Sequence, residues 1–219
     1  MDNQIAVIFD MDGVISHTNP HHSKAFRAFF AKRNLFPTDA EFAKHMFGKS
    51  NSYIMSHFFN RTFSSEELKV MEDEKESLFR EMYEPVVQPI DGLVAFINDL
   101  HAHGVKLGVA TSAPYANLNL ILGKIPILDK FSSIMASENV KNHKPDPEVY
   151  LASAENLGVP TNRCIVFEDS FSGVSAGINA GMKVVGILSS HTPSELPPCD
   201  LYLENYLQAR FDTIYPLLN

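Results

Sequence analysis

Ile5-Ala6-Val7-Ile8-Phe9-Asp10-Met11-Asp12-Gly13-Val14 is the stretch on which the reading of this chain turns. Ile5 to Phe9 is an unbroken apolar run with β-branched members, the pattern of a strand buried on both faces of a parallel sheet. Asp10 and Asp12 follow at i and i+2. In extended chain their side chains project to one side while Met11 projects to the other. Gly13 lets the chain turn sharply without a Cβ penalty. Carboxylates at the carboxyl end of a parallel strand stand where open α/β sheets place their chemistry. Asp and Gly are also ordinary turn residues, so the stretch gains meaning only if partners follow at the ends of other strands.

Outward from it, residues from about 16 to 87 contain no convincing strand. Thr18 or Asn19 can cap a first helix with Pro20 just inside, and Ala25, Phe26, Phe29 and Phe30 recur at helical spacing. Thr38 or Asp39 can cap a second, ending near Gly48. Ser50 or Asn51 starts a third, with Ile54, Met55, Phe58 and Phe59 on one side. Ser64-Ser65-Glu66-Glu67 resembles a capping box for a fourth, running to about Tyr83. The Phe and Met stripes predict the core of a helical bundle, and Pro85 and Pro89 mark its end.

From Ile90 the pattern alternates. Helices are predicted at 91–103, 115–123, 146–157 and 172–180. Strands are predicted at 105–110, 131–136, 163–167 and 183–187, with an edge strand at 200–203 before a C-terminal helix. Such alternation predicts an α/β fold: a Rossmann-like parallel sheet with helices on both faces. The expected organisation is a core of residues 1–15 and 88–219, interrupted by an α-helical cap at 16–87.

Composition narrows the function. The chain has 219 residues, with 45% hydrophobic and 20% charged residues, as in globular proteins. Its formal net charge is −8 and no basic block is present, which argues against nucleic acid or an anionic membrane as partner. No apolar run approaches membrane-span length, and the opening residues do not read as a signal peptide. Cys164 and Cys199 are too few for a disulfide framework, and Cys164 reads as a small core residue. A monomer in the cytoplasm is the expectation.

The partners of Asp10 and Asp12 do appear. Thr111, Lys144 and the pair Glu168-Asp169 each fall at the end of a predicted strand or on the loop before a helix. Singly, each has an ordinary reading: a helix cap, a solvated lysine, a helix boundary. Together and in this order, the segments D-M-D-G-V, A-T-S, H-K-P-D-P-E-V-Y and F-E-D-S-F-S-G-V-S-A-G closely resemble the haloacid dehalogenase superfamily of aspartate-nucleophile phosphotransferases. An insert directly after the first segment is similar to the β-phosphoglucomutase-like subgroup.

The resemblance implies a mechanism. Asp10 would attack phosphorus and form an aspartyl-phosphate. Asp12 would protonate the leaving oxygen and later deprotonate the attacking water. Mg²⁺ would be held by Asp10, the Asp12 backbone carbonyl and Asp169, with Glu168 either as a ligand or as support behind the ligands. Thr111 would bond a phosphoryl oxygen with Ser112 beside it at the substrate, and Lys144 would neutralise the nucleophile and the transferring group.

In the insert, His22 falls where mutase-type members carry a hinge histidine, and equally where a solvated histidine would begin a helix. Phe47-Gly48-Lys49-Ser50-Asn51 matches the cap's specificity loop. There Asn51 takes the place of an Arg that grips a second phosphate in the mutase, and Lys49 could serve as a point charge instead. Phe47 stands where pyrophosphatase-like relatives have Glu, and His17 where many relatives have Asp. Lys75 reads first as an exposed helix lysine, with a cap contact as the alternative. The expected activity is a Mg²⁺-dependent phosphatase acting on a small phosphorylated metabolite, a sugar phosphate before others. A phosphosugar mutase ranks second. A pyrophosphatase or a non-catalytic phospho-binding module ranks below both.

Overall fold

A computed structural model describes residues 4–46 and 50–218. The chain divides into two compact units, one bounded at Met1–His17 and Val87–Asn219, the other at Thr18–Val86. Among the described residues no helix is long and apolar enough to cross a membrane.

The first unit is built on six strands: β1 (Ala6–Phe9), β2 (Lys106–Ala110), β3 (Phe131–Met135), β4 (Cys164–Glu168), β5 (Lys183–Ile187) and β6 (Leu201–Leu203). Their order is β3-β2-β1-β4-β5-β6 and every pairing is parallel. This is the Rossmann-like sheet the sequence predicted. The chain winds outward from β1 in one direction and from β4 in the other, so the switch point lies between β1 and β4. Five further helices belong to this unit: α5 (Leu93–Ala102), α6 (Tyr115–Lys124), α7 (Glu148–Leu157), α8 (Phe171–Asn179) and a short α9 (Phe211–Ile214). Helix α5 starts two residues later than expected, because Gly92 at its N-cap takes a left-handed conformation with φ of 82°.

Strand parity explains both faces. Ala6 and Ile8 of β1, with Cys164 and Val166 of β4 and Ala110 of β2, share an apolar cluster with Tyr150, Ala154 and Leu157 of α7 and Val174 and Ala176 of α8. On the other parity, Phe9 stacks on Phe167 at 4.9 Å, and Phe96 of α5 stacks on Tyr206 at 5.5 Å. One step beyond the register pair Phe9↔Phe167, both strands return to the first face, and the next residues there are Asp10 and Glu168. An apolar base therefore ends in two acids.

The second unit contains α1 (Asn19–Ala31), α2 (Asp39–Met46), α3 (Asn51–Phe59) and α4 (Ser65–Tyr83). Phe26, Phe29, Phe30, Phe42, Met46, Ile54, Met55, Phe58 and Met71 form its core; of these the periodicity singled out Phe26, Phe29, Phe30, Ile54, Met55 and Phe58. Ser64 and Glu67 complete the capping box at the start of α4. Thr18 stands at the N-cap of α1 but makes no side-chain capping bond. Lys75 is not the exposed lysine expected of a helix face; it is 2% exposed and bonded within its own unit.

Candidate active site

Asp10 leaves β1 at the sheet's switch point, where its backbone N–H still donates to Phe167 O at 2.9 Å. Its carboxylate is almost fully buried. Lys144 reaches it from the loop before α7: the ammonium donates to Asp10 Oδ1 at 2.7 Å, Glu168 Oε1 at 2.8 Å and Ala110 O at 3.1 Å. Those three acceptors come from the ends of β1, β4 and β2. The ammonium also lies 4.6 Å from the Tyr150 ring centroid. Burial by itself would lower the Lys144 pKa, but the carboxylates of Asp10 and Glu168 outweigh it and hold the ammonium charged.

Glu168 is bonded on both oxygens. Oε1 accepts from Lys144 and from the Tyr150 hydroxyl at 2.9 Å. Oε2 accepts from Asp169 N at 2.9 Å and from Ser170 N and Oγ at 3.0 Å each. Gly173 makes the room: a Cβ there would fall 1.7 Å from Glu168 Oε1. Asp169 faces the turn after β1, and a Cβ on Gly13, whose φ is +71°, would fall 1.9 Å from Asp169 Oδ2. The turn after Asp12 therefore needs glycine both for its backbone and for this carboxylate.

Asp10, Glu168 and Asp169 each offer an oxygen within 4.8 Å of the others, and all three are buried. Asp12 is half-buried and lies near enough for its charge to raise the pKa values of Asp10 and Asp169. Burial raises Asp10 well above the usual carboxylate range, with Lys144 opposing it. Burial, then Glu168, pushes Asp169 up to about 7, against the bonds from Ser190 and Ser189. Four carboxylates thus gather here, and Lys144 bonds two of them, Asp10 and Glu168. That excess of buried negative charge, presented entirely by oxygen donors, fits a hard divalent cation such as Mg²⁺.

Thr111 is buried at the end of β2; its N–H donates to Met135 O at 3.0 Å and its Oγ1 accepts from Ala113 N at 3.1 Å. Ser112, next in the chain, is exposed. In the helical unit, His22 Nδ1 lies 3.0 Å from Lys75 Nζ, and the imidazole stacks on Phe79 at 3.7 Å. Lys75 also donates to Glu76 Oε1 at 2.6 Å, and Asn51 Nδ2 donates to the same oxygen at 3.0 Å. Asn51 and His22 therefore meet in one polar cluster with Lys75 and Glu76. Lys49 and Phe47 lie outside the described residues.

The sequence reading missed Tyr150, Ser170, Ser189, Ser190 and His191. Tyr150 sits inside the H-K-P-D-P-E-V-Y segment, but an aromatic on a helix reads as core. Ser189 and Ser190 lie just past the end of β5 and carry no charge or motif. The one available signal was their position, since they follow a parallel strand at its carboxyl end.

Acids at the ends of β1 and β4, a lysine between them and a switch point beneath define a class of fold and site, and the comparisons agree with it. Residues 7–187 match the model of the haloacid dehalogenase-like hydrolase family, and the chain belongs to that family. It is similar to the phosphorylated carbohydrates phosphatase of Thermotoga maritima, 31% identical over 190 residues that cover 84% of this chain and 86% of that one. It is similar to the β-phosphoglucomutase of Bacillus subtilis, 30% identical over 191 residues that cover 83% and 82%. Among solved structures, a HAD hydrolase of family IA, variant 3, from Entamoeba histolytica superposes with a TM-score of 0.91 at 27% identity, covering 98% of this chain and 99% of that one.

Proposed function

We propose that this chain is a Mg²⁺-dependent phosphatase that hydrolyses a small phosphorylated metabolite, a sugar phosphate, as a cytoplasmic monomer. The observation that carries the reading is the Asp10 carboxylate, buried at the end of β1 and held on Oδ1 by Lys144. Asp10 is the nucleophile: its carboxylate attacks phosphorus, the bond from phosphorus to the substrate oxygen breaks, and Asp12 gives that oxygen a proton. Asp12 then takes a proton from water as the water attacks the aspartyl-phosphate, releasing phosphate and restoring Asp10. Lys144 fixes the plane of the Asp10 carboxylate before attack and keeps positive charge beside it. Thr111 and Ser112 bond the phosphoryl group. Asp10, the Asp12 carbonyl and Asp169 would hold the Mg²⁺, which when bound offsets the repulsion between carboxylate and phosphate. With both oxygens already bonded, Glu168 acts as support for Lys144. Residues 16–87 act as a cap that chooses the substrate, through His22, Lys49 and Asn51.

The names of two relatives support the phosphosugar class, one a phosphatase and one a mutase. Asn51 favours the phosphatase, since an amide already donating to Glu76 supplies no charge for a second phosphate. Phosphate release from a panel of sugar phosphates, nucleotides and pyrophosphate with Mg²⁺ tests the reading. Release should stop with EDTA and in Asp10→Asn. Isomerisation of β-glucose 1-phosphate outpacing phosphate release, with glucose 1,6-bisphosphate present, would reverse the order of the two activities.

A further inference from the structure

We propose that Ser190 is a positioning residue for Asp169, and that residues 189–191 form a clasp joining Asp169 to the turn after β1. The inference rests on Asp169 being a metal ligand, as read above.

Three consecutive residues after β5 reach two segments that lie far apart in sequence. The Ser190 hydroxyl donates to Asp169 Oδ2 at 2.5 Å, and Ser189 Oγ lies 3.3 Å from the same oxygen. Ser189 gives its proton to Gly13 O at 2.5 Å. The His191 ring nitrogen Nδ1 lies 2.9 Å from Asp169 O; a carbonyl only accepts, so Nδ1 carries the proton. The strand end is itself fixed, since Leu188 N donates to Leu203 O at 2.8 Å.

Both serines address one carboxylate oxygen, the one lying against the Cα of Gly13. A lone aspartate can rotate about its Cβ–Cγ bond. Here the rotation is set by a hydroxyl on one side and a glycine on the other, so the carboxylate's orientation toward a cation is chosen before the cation arrives. Partners behind a metal ligand typically contribute 10–100-fold in metal affinity by holding the ligand in place. Ser190 contributes nothing to the apolar core beneath the sheet, so its loss should leave the fold intact.

Mn²⁺ binding followed by electron paramagnetic resonance, on the full chain, tests this without relying on turnover. Ser190→Ala should weaken Mn²⁺ binding by roughly 10–100-fold. Its melting temperature in EDTA should stay within about 2 °C of wild type. Ser190→Thr, which keeps the hydroxyl, should restore affinity to within about threefold. Wild-type affinity in Ser190→Ala overturns the clasp, as does a loss of affinity that Thr fails to restore. Absence of Mn²⁺ binding in wild type overturns the metal reading itself, which is a separate result.

Discussion

Replacing Lys144 by Met keeps most of the side chain's apolar volume and removes the ammonium that bonds both Asp10 and Glu168. The side chains of Lys144, Asp10 and Glu168 are 4%, 9% and 1% exposed, so solvent does little to screen the pairs. Deleting one partner of a buried ion pair costs about 3–5 kcal/mol, because the other charge stays buried without compensation. For a chain of this size each kcal/mol moves the melting temperature by about 2–4 °C. The α/β unit should therefore melt roughly 6–20 °C lower. The loss should depend on pH in a definite direction. Asp10 is already raised by burial, and losing Lys144, the group that lowers it, raises it further. An acid with a raised folded pKa binds more protons folded than unfolded, so stability falls as pH rises through the window between the two values. The deficit of Lys144→Met should be smaller at pH 5, toward which Asp10 takes up a proton, than at pH 8. Calorimetric melting in EDTA at both pH values measures it. A melting temperature within about 2 °C of wild type at pH 8, or the same deficit at pH 5, refutes the electrostatic account.

The same linkage predicts how metal acts on the native protein. With Asp169 pushed up to about 7, the metal-free protein should lose stability as pH climbs from about 4 to about 7. Added Mg²⁺ should then raise the melting temperature more at pH 8 than at pH 5; equal gains would sink the assignment of these acids to the ion. Gly13→Ala places a Cβ 1.9 Å from Asp169 Oδ2 and on a backbone with φ of +71°, so it should abolish Mn²⁺ binding and cost about 1–3 kcal/mol in strain alone. Normal Mn²⁺ titration of that variant would contradict the contact. Tyr150→Phe removes one buried donor from Glu168 Oε1 and leaves Lys144 in place. Denaturant melts should show a loss of about 1–3 kcal/mol, well short of that for Lys144→Met, and the two losses should not add.

What the sequence disclosed and what it hid divide along physical lines. β1 was legible because a strand buried on both faces cannot alternate, and Ile5–Phe9 has no polar residue to confuse the pattern. The capping box at Ser64 and Glu67 was legible because its chemistry is local. Lys75 was not: helical spacing places it among charged neighbours, and only the fold brings His22 and Phe26 against it. Helix α7 begins at Glu148, later than the expected 146, because Asp146 bonds the Glu148 N–H from outside the helix.

The same division runs through the site. Asp10, Asp12, Lys144, Glu168 and Asp169 could be found because charged groups at strand ends are scarce and chemically pointed. Tyr150, Ser189 and Ser190 could not, because a hydroxyl has meaning only through what it bonds. Yet those hydroxyls bear on the orientation of the acids: Tyr150 bonds the Glu168 oxygen that also meets Lys144, and Ser190 bonds the Asp169 oxygen that lies against Gly13. A carboxylate without such partners would settle by turning toward the nearest donor. In this site Lys144 serves Asp10 and Glu168, and the hydroxyls of Ser189 and Ser190 meet Asp169. Neutral hydroxyls hold Asp169 without cancelling its charge, so the negative potential of the acid cluster is kept. The charged residues are what sequence can announce, and the neutral ones bond them in the orientations the fold gives them.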